Sequence, residues 1–377
     1  MKRVKTSVAV AGAGLTGATI ARVLAEKGHR VLVYEKRNHV AGNAHDTIRA
    51  DGTPVHTYGP HIFHTNNAEI YGWLGQFTSW VPYRHRVEVN VEGTLYPMPV
   101  TMETVERLLD MTFSGPDHFS DWIEDNRCDH LDPNENSETA IRSQMCKEIF
   151  EKIFKGYTRK MWGVPASKLD ASVCRRIPIR ADRSKDYFTD TYQALPGQGY
   201  TAMGECMLDH PNIEVFLGVE IFNRPEALVW TGPIDAYYGN DIGRLPYRSL
   251  DIQHHTVDIT GRHCLPVATV NEADVTVLRT RTTDFTHLRQ TPLHEGPNRA
   301  PLAVEYPCAH VAGTNEPYYP VPSKASRELY RQYAERAKQE PGVWFAGRLG
   351  TYRYMNMDAC VGSARKLAHA IAKHLQR

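Results

Sequence analysis

The stretch Val8-Ala9-Val10-Ala11-Gly12-Ala13-Gly14-Leu15-Thr16-Gly17 determines the predicted fold. Its opening residues form a short apolar strand, and glycines follow at once. The next segment, Ala18 to Lys27, has apolar residues at helical spacing, which predicts a helix. Gly28 ends that helix, and Arg30 to Tyr34 is a second apolar strand. The order predicts a strand–turn–helix–strand unit that opens an α/β fold.

The glycine spacing in this stretch suits a dinucleotide. Gly12 allows a tight turn, Gly14 lets the backbone approach a pyrophosphate, and Gly17 lets helix and strand pack closely. The N-terminus of the helix then offers N–H groups and partial positive charge to phosphates. Glu35 lies near the ~20-residue offset expected for an acid that binds ribose. A plain glycine turn with a solvated Glu is the alternative, and it leaves the strand, helix and acid unexplained.

Composition limits the class of protein. A chain of 377 residues is longer than one hydrophobic core supports, so more than one domain is expected. The net charge of +1 gives no long-range attraction to nucleic acid or to an acidic membrane. Neither a signal peptide nor a bilayer-spanning apolar run is recognisable. The seven cysteines are odd in number and none has C-x-x-C spacing, so we expect reduced thiols in the cytoplasm, without a disulfide framework or a zinc site.

The pattern along the chain predicts inserted domains. Apolar residues recur at helical intervals from Met102 to Met161, with a polar loop at Asp129 to Ser137. Alternating residues from Leu245 to Val311 predict antiparallel sheet. Further predicted elements are strands at Val215 to Phe222, Ala227 to Thr231 and Val343 to Ala346, and a final helix at Met357 to Leu375.

We therefore predict a discontinuous dinucleotide-binding domain with two insertions. The Rossmann-like domain comprises residues 1–80, 191–240 and 320–377. An α-helical subdomain comprises residues 100–163. An antiparallel sheet domain for the substrate comprises residues 81–99, 164–190 and 241–319.

Three segments resemble FAD proteins of the glutathione-reductase and amine-oxidase type. Glu35-Lys36-Arg37-Asn38 with Gly42-Asn43 resembles the continuation after the second strand in those proteins. Phe345-Ala346-Gly347-Arg348 resembles their second flavin motif, and Asn212 to Val219 resembles the segment that meets the adenine. The resemblance implies FAD rather than NAD.

Seven further strings, in order and spacing, resemble the bacterial UDP-galactopyranose mutase family. The resemblance extends from about Val8 to the final helix. The strings begin at Tyr58 (YGPHIFHT), Gly156 (GYTRKMWG), Arg175 (RRIPIR), Tyr187 (YFTD), Thr231 (TGPID), Glu316 (EPYYP) and Gly347 (GRL).

The family resemblance implies the site residues. Arg176 and Arg279 fall where the family's two diphosphate-binding arginines fall, although Arg281 is a rival to Arg279. His64 lies on a loop expected against the flavin ring, where it positions the cofactor rather than transferring protons. The other implied cofactor residues are Gly12, Gly14, Leu15, Thr16, Gly17, Glu35, Lys36, Asn43, His61, Val219, Gly347, Arg348, Tyr354, Asn356 and Met357. The implied substrate residues are His85, Phe154, Tyr157, Trp162, Arg176, Tyr187, Arg279, Tyr319, Arg348 and Tyr354.

The family resemblance also implies the reaction. FAD is active in the reduced form, and its N5 attacks the anomeric carbon of a nucleotide-linked sugar, interconverting pyranose and furanose rings. Trp162 and Gly163 resemble a mobile loop that closes over the substrate. NAD(P)H or another reductant is expected for the flavin, and a homodimer is implied. The sequence contains no metal-ligand cluster with recognised spacing.

This chain departs from the family on the sugar side. Met355 and Asn356 replace a Tyr and an acid, and His85 stands where a pocket Asn is expected. We therefore expect the same reaction type on a different sugar or base. Two other functions stay open: a flavin amine oxidase or desaturase of the same fold, and a nucleotide-sugar or FAD sensor without turnover.

Overall fold

The computed structural model describes residues 7–221, 225–289 and 299–376. The chain divides into two compact units, each built from separate segments. Unit 1 comprises Met1–Tyr83, Asp190–Pro246 and Arg327–Arg377. Unit 2 comprises Arg84–Thr189 and Tyr247–Ser326. The segment predicted as a helical subdomain and the predicted substrate sheet therefore lie in one unit.

The strands of the described residues are numbered in chain order. They are β1 (Val8–Ala11), β2 (Val31–Glu35), β3 (Asp46–Ile48), β4 (Pro54–His56), β5 (Phe63–Thr65), β6 (Trp80–Pro82), β7 (Val87–Val91), β8 (Thr94–Met98), β9 (Val100–Thr101), β10 (Ile179–Arg180), β11 (Tyr192–Pro196), β12 (Ile213–Leu217), β13 (Leu228–Trp230), β14 (Tyr247–Asp258), β15 (Thr269–Glu272), β16 (Arg281–Asp284), β17 (Arg299–Ala309), β18 (Tyr319–Pro320) and β19 (Val343–Phe345).

The α-helices are numbered in the same way. They are α1 (Leu15–Glu26), α2 (Ala68–Leu74), α3 (Met102–Leu109), α4 (Pro116–Asn126), α5 (Ser137–Arg142), α6 (Lys147–Ile149), α7 (Gly156–Trp162), α8 (Ser172–Arg175), α9 (Gly199–Leu208), α10 (Ile234–Tyr237), α11 (Lys324–Ala337), α12 (Gly347–Gly350) and α13 (Met357–His374). A π-helical segment, Phe150–Lys155, joins α6 to α7, and short 3₁₀ turns occur at Gly42–Ala44, Ala166–Lys168 and Phe285–Leu288.

A parallel sheet forms the centre of unit 1. Its strand order is β12-β2-β1-β13-β19, and every neighbouring pair is parallel. The side chains of Val8, Val10, Val31 and Val33 are fully buried, as expected for a sheet covered on both faces. Helices α1 and α13 pack against each other beside this sheet. The predicted α/β class with a Rossmann-like domain is confirmed.

The sheet of unit 2 has the order β18-β14-β17-β16-β15-β7-β8. Its neighbours are antiparallel, with the exception of the pair β7 and β15, which is parallel. The predicted antiparallel sheet therefore contains one parallel pair. A parallel pair needs a long crossover between its strands, and the helices α3 to α8 lie in the connection from β8 to β15.

The helical part of unit 2 is held by buried apolar side chains. Phe119, Ile141, Met145 and Ile149 are fully buried, which accounts for their helical recurrence in the sequence. The predicted polar loop ends where Asn136 caps α5, since its side-chain oxygen accepts the N–H groups of residues 138 and 139. Across the described residues, no helix has the length and apolar character required to cross a bilayer.

Candidate functional site

The glycine turn of unit 1 is as tight as the sequence predicts. Gly12 has φ +106°, and a Cβ there would lie 2.2 Å from Oγ1 of Thr231. A Cβ on Gly17 would lie 1.9 Å from the carbonyl oxygen of Gly12, so helix α1 packs directly on the turn. A side chain at Gly17 would collide with backbone, and one at Gly12 would collide with the Thr231 hydroxyl at a φ that other residues rarely adopt.

Helix α1 begins immediately after this turn. Gly14 is its N-cap residue, in an extended conformation, and no side chain of the described residues caps the helix. The first N–H groups of a helix have no intrahelical partner, so those of Leu15, Thr16 and Gly17 are available to an anion. The turn therefore fits the pyrophosphate of a dinucleotide.

Glu35 lies at the end of β2, beside the same turn. Its side chain is buried, one oxygen accepts the N–H of Ala13 at 2.8 Å, and the other accepts the N–H of Arg37 at 3.0 Å. A carboxylate has about four acceptor sites, so each oxygen keeps capacity for a ribose hydroxyl. Glu35 thus fits the predicted ribose-binding role.

The other predicted cofactor residues of unit 1 differ in how close they lie to the glycine turn and in how exposed they are. Asn43 lies in the 3₁₀ turn Gly42–Ala44, and a Cβ on Gly42 would be 2.9 Å from Cα of Gly14. Lys36 is exposed at the end of β2. Val219 is 40% exposed, but its N–H donates to the carbonyl oxygen of Glu35 at 3.0 Å. Its contribution to an adenine would therefore come from its carbonyl and side chain.

The second predicted flavin motif meets the first. Gly347 has φ +75°, and a Cβ there would lie 3.1 Å from Oγ1 of Thr16. The guanidinium of Arg348 donates to the carbonyl oxygen of Met355 at 2.7 Å and lies 5.0 Å from the centre of the Tyr354 ring. Asn356 is the exposed N-cap residue of α13, and Met357 is the first residue of that helix.

The two predicted histidines have fixed ring orientations. Nδ1 of His61 is 2.9 Å from the carbonyl oxygen of Gly59, which can only accept, so this nitrogen carries the proton. Nδ1 of His64 is 2.8 Å from a carboxylate oxygen of Asp190, whose other oxygen accepts from Asn66 at 2.9 Å. The proton of neutral His64 therefore lies on Nδ1, and Nε2 is the acceptor nitrogen.

A second group of predicted residues comes together in unit 2. We call it the phenol–arginine cluster, and it comprises Tyr157, Tyr187, Arg281, Glu305 and Tyr319. Burial raises the pKa of Tyr157 to about 12, while the positive charges of Arg281 and Arg176 oppose that shift. Tyr157 is therefore a neutral hydrogen-bond donor at physiological pH, placed within electrostatic reach of both arginines.

Arg281 and Glu305 form the charged centre of this cluster. They are directly opposite each other on β16 and β17, with Nε of Arg281 2.7 Å from the carboxylate. The Glu305 side chain is 1% exposed and that of Arg281 is 23% exposed. Burial disfavours both charges, raising the pKa of Glu305; Glu305 nevertheless holds the pKa of Arg281 well above its usual range. The guanidinium is permanently charged, with one edge paired and donors remaining.

Arg279 was predicted as the second diphosphate-binding arginine with Arg281 as its rival, and it is Arg281 that the structure places beside Glu305 and near Tyr157. The guanidinium of Arg279 donates to Glu272 at 2.6 Å, and its side chain is 41% exposed. The reason is the hairpin between β15 and β16: Arg279 precedes β16, whereas Arg281 is its first residue and faces Glu305. The sequence departs from the family pattern here, so spacing alone could not decide which of the two arginines corresponds to the family's diphosphate-binding residue.

The remaining substrate residues take several positions in unit 2. Arg176 follows α8, is exposed, and its Nε donates to the carbonyl oxygen of Val173 at 3.0 Å. The N–H of Tyr187 donates to the carbonyl oxygen of His85 at 2.8 Å, and their rings meet edge to face. Phe154 is buried in the π-helical segment before α7.

Trp162 is not on a loop, contrary to the prediction. It is the last residue of α7, is 4% exposed, and its ring centre is 6.3 Å from that of Tyr319. Gly163 ends the helix in the left-handed conformation, with φ +73°. Arg248 then donates to the carbonyl oxygens of Met161 and Lys160. These caps satisfy the end of the helix and keep Trp162 in regular structure.

Two residues of the site were not predicted from the sequence. Glu305 was missed, although a lone acid in the otherwise uncharged run from Ala300 to Ala309 is an unusual residue for a buried strand and could have indicated it. Asp190, the partner of His64, was also missed. It is distant in sequence and becomes visible only in the antiparallel pairing of β5 with β11.

One group in unit 2 has the residue types of a metal site. It comprises His263, Asp284 and His287. Asp284 already accepts four hydrogen bonds, from the N–H groups of Cys264, Leu265 and Thr286 and from the Thr286 hydroxyl. Nδ1 of His263 lies 2.8 Å from that hydroxyl and Nε2 of His287 lies 2.8 Å from a carbonyl oxygen, so both nitrogens are donors. Asp284 and one nitrogen of each histidine are therefore already engaged in hydrogen bonds within the protein.

Comparisons with known proteins agree over nearly the whole chain. The family model described as UDP-galactopyranose mutase matches residues 152–354, and that of an NAD(P)-binding Rossmann-like domain matches residues 10–77. A probable UDP-galactopyranose mutase of Klebsiella pneumoniae is 36% identical over 368 residues, covering 96% of this chain and 94% of the relative. A dTDP-fucopyranose mutase of Escherichia coli is 32% identical over 381 residues, covering 97% and 98%.

Solved structures show the same fold. A crystal structure of reduced UDP-galactopyranose mutase has a TM-score of 0.76 at 16% identity, covering 98% of this chain and 96% of that one. A cyclohexylamine oxidase from Brevibacterium oxydans has a TM-score of 0.59 at 14% identity, covering 99% and 100%. At such identities the likeness concerns the fold alone.

Proposed function

Since the chain belongs to the UDP-galactopyranose mutase family, we propose that it interconverts the pyranose and furanose forms of a nucleoside-diphosphate hexose. It is an isomerase of the mutase type. One observation of the structure carries the proposal: the Arg281–Glu305 pair, with its buried carboxylate, lies within electrostatic reach of the neutral phenol of Tyr157. Such a cluster suits a diphosphate, since it offers charge and hydrogen-bond donors together.

The cofactor is FAD, and the residues of unit 1 fit it. The glycine turn and the first turn of α1 would hold the pyrophosphate, and Glu35 would bind the ribose. Gly347, which meets Thr16, brings the second motif to the same place. When bound and reduced, the flavin supplies a nucleophilic nitrogen for the anomeric carbon of the sugar. His64, oriented by Asp190, would present Nε2 as an acceptor that positions the cofactor.

The phenol–arginine cluster would hold the diphosphate through the reaction. The edge of Arg281 not paired with Glu305 can face phosphate oxygens, and Tyr157 can donate to them without adding charge. The positive charge of Arg176 also reaches Tyr157, so Arg176 would provide a second positive charge for the diphosphate. As the bond to the anomeric carbon breaks, negative charge grows on the leaving diphosphate, and fixed donors stabilise it. The same contacts keep it in place for its return to the sugar.

We propose that the substrate of this protein differs from UDP-galactose in its sugar or in its base. Met355 and Asn356 lie beside Arg348, whose guanidinium donates to the Met355 carbonyl oxygen, so the departures from the family string are local to this residue. His85 is buried against Tyr187 and Phe188. A relative named for dTDP-fucopyranose matches as fully as one named for UDP-galactopyranose, so the family accommodates a change of substrate.

An anaerobic assay tests the function directly. The purified protein, chemically reduced, would be incubated with a panel of UDP-, GDP- and dTDP-hexopyranoses, and the products separated by chromatography. We expect a furanose product from at least one substrate and none with oxidised flavin. Absence of conversion across the panel, with flavin bound and reducible, would contradict the proposal.

An amine oxidase or desaturase is the second candidate, because the chain shares its fold with a cyclohexylamine oxidase. Such an enzyme has no need of a charged diphosphate-binding cluster in unit 2. Release of hydrogen peroxide on addition of amines, without any change in nucleotide sugars, would favour it.

We propose that NAD(P)H or another reductant reduces the flavin and that the protein is a homodimer, as the family resemblance implies. All seven cysteines are free, which supports a reducing compartment such as the cytoplasm. Size-exclusion chromatography with light scattering would test the dimer, and anaerobic flavin bleaching by NADPH would test the reductant.

A further inference from the structure

Lys160 occupies an unusual environment on α7. Its ammonium donates to three backbone carbonyl oxygens, those of Glu272 at 2.8 Å, Val277 at 2.9 Å and Arg279 at 3.0 Å. All three belong to the hairpin that joins β15 to β16. An ammonium has three N–H donors, so each is used on the same hairpin.

The hairpin packs on one face of α7. A Cβ on Gly156 would lie 2.2 Å from the carbonyl oxygen of Ala273, so the hairpin backbone touches the helix where a side chain is missing. Lys160 follows four residues later, on the same helical face. The contact is therefore made by a glycine and a lysine one turn apart.

This contact links the two halves of the phenol–arginine cluster. Tyr157 belongs to α7, and Arg281 begins β16 directly after the hairpin. The far end of α7 is capped by Arg248 from β14, so the helix is fixed at that end independently of the hairpin. The hairpin itself is tied through Glu272, which accepts from Arg279 and from Asn90.

We propose that Lys160 is a positioning residue, whose ammonium fixes the hairpin on α7 and so sets the separation of Arg281 and Tyr157 for the diphosphate of the substrate. This inference rests on the proposed function, since it concerns affinity for a nucleoside-diphosphate sugar. Lys160 touches neither substrate nor cofactor in this role. Misplacing one donor to a charged diphosphate would cost roughly 10- to 100-fold in affinity, the contribution of one charge-assisted hydrogen bond.

The contact between the Lys160 ammonium and the hairpin should weaken as the pH rises. Burial lowers the pKa of Lys160 to about 8; the charges of Glu272 and Asp274 oppose that shift and Arg279 adds to it. Above that pH the neutral amine has two N–H donors, so one hairpin carbonyl loses its partner. Affinity for the sugar nucleotide should then fall. Folding stability should not fall with it, because a pKa lowered in the folded state makes stability rise with pH from about 8 to the ordinary lysine value of 10.5.

The test compares Lys160→Met and Lys160→Arg with a matched control, Lys155→Met. Lys155 is exposed just before α7 and pairs with Glu151. Calorimetry with the oxidised protein and UDP-galactose or dTDP-galactose measures affinity without turnover at pH 7.5 and pH 9, where the linked diphosphate does not titrate. Thermal unfolding of each variant is recorded alongside.

We expect Lys160→Met to weaken binding roughly 10- to 100-fold at pH 7.5, the contribution of one charge-assisted hydrogen bond, and to abolish the pH dependence. Lys160→Arg should recover part of the affinity, and Lys155→Met should resemble the unmodified protein. Equal affinity and an equal pH profile for Lys160→Met would overturn the inference. If that variant does not fold, a flat affinity profile of the unmodified protein from pH 7.5 to pH 9 would overturn it equally. Failure of the unmodified protein to bind any sugar nucleotide would contradict the proposed function instead.

Discussion

Replacing Arg281 by lysine is the sharpest test of the diphosphate assignment. Lysine keeps a positive charge next to Glu305, whose side chain is 1% exposed, so the buried carboxylate stays compensated. What is lost is the planar fork of donors that faces a diphosphate. The experiment therefore separates recognition from folding.

The expected magnitude follows from this geometry. A hydrogen bond to a charged group contributes about 1.5–3 kcal/mol, so losing one predicts a fall of roughly 10- to 150-fold in affinity. Arg281→Met, in contrast, leaves Glu305 uncompensated and should also destabilise the fold by about 3–5 kcal/mol. Arg279→Lys is the matched control. Because the Arg279 side chain is 41% exposed, this substitution should change the free energy of unfolding by no more than about 1 kcal/mol.

The assay has two parts. Affinity for the nucleotide sugar is measured on the oxidised protein, and kcat/KM is measured on the reduced protein, while urea denaturation reports stability. The reasoning is refuted if Arg279→Lys loses affinity and Arg281→Lys does not. A stability loss for Arg281→Lys as large as that for Arg281→Met would also refute it, because the retained charge would then have had no effect.

Other substitutions probe the cofactor side and the phenols. Gly17→Ala should prevent FAD binding, seen as colourless protein, because its Cβ would lie 1.9 Å from the oxygen of Gly12. Asp190→Ala should weaken flavin positioning through His64 and lower kcat several-fold with retained flavin absorbance; unchanged kcat would argue against that role. Tyr157→Phe should weaken sugar-nucleotide binding by about 0.5–1.5 kcal/mol, one neutral hydrogen bond, in calorimetry, and an unaltered affinity would remove Tyr157 from the site.

The elements that the sequence predicted best are those with local causes. The glycine turn, α1 and β2 follow from steric demands within about 30 residues, and the structure places their bounds within three residues of the prediction. The predicted strand from Val215 is β12, which begins earlier, at Ile213, and ends at Leu217; the last predicted residue, Phe222, lies outside the described residues.

The failures share a non-local cause. The parallel pairing of β7 with β15 depends on which edge the returning chain meets, and strand alternation carries no such information. Arg279 and Arg281 differ only in which side of a hairpin boundary they occupy. Trp162 was expected on a loop, yet the cap that holds it in α7 comes from Arg248, which is distant in sequence. The role of Glu305 depends on Arg281, which lies opposite it on the neighbouring strand β16.

The meeting of Gly347 with Thr16 imposes an order on biosynthesis. The two residues are separated by about 330 positions, so the second flavin motif leaves the ribosome long after the first. At roughly 5–20 residues per second the delay is tens of seconds. During that interval the nascent chain has β1, α1 and β2 but lacks α13, which packs against α1 in the finished fold. Cofactor capture is therefore a late event, and a chaperone that shields apolar strands has its opportunity before the last helix is made.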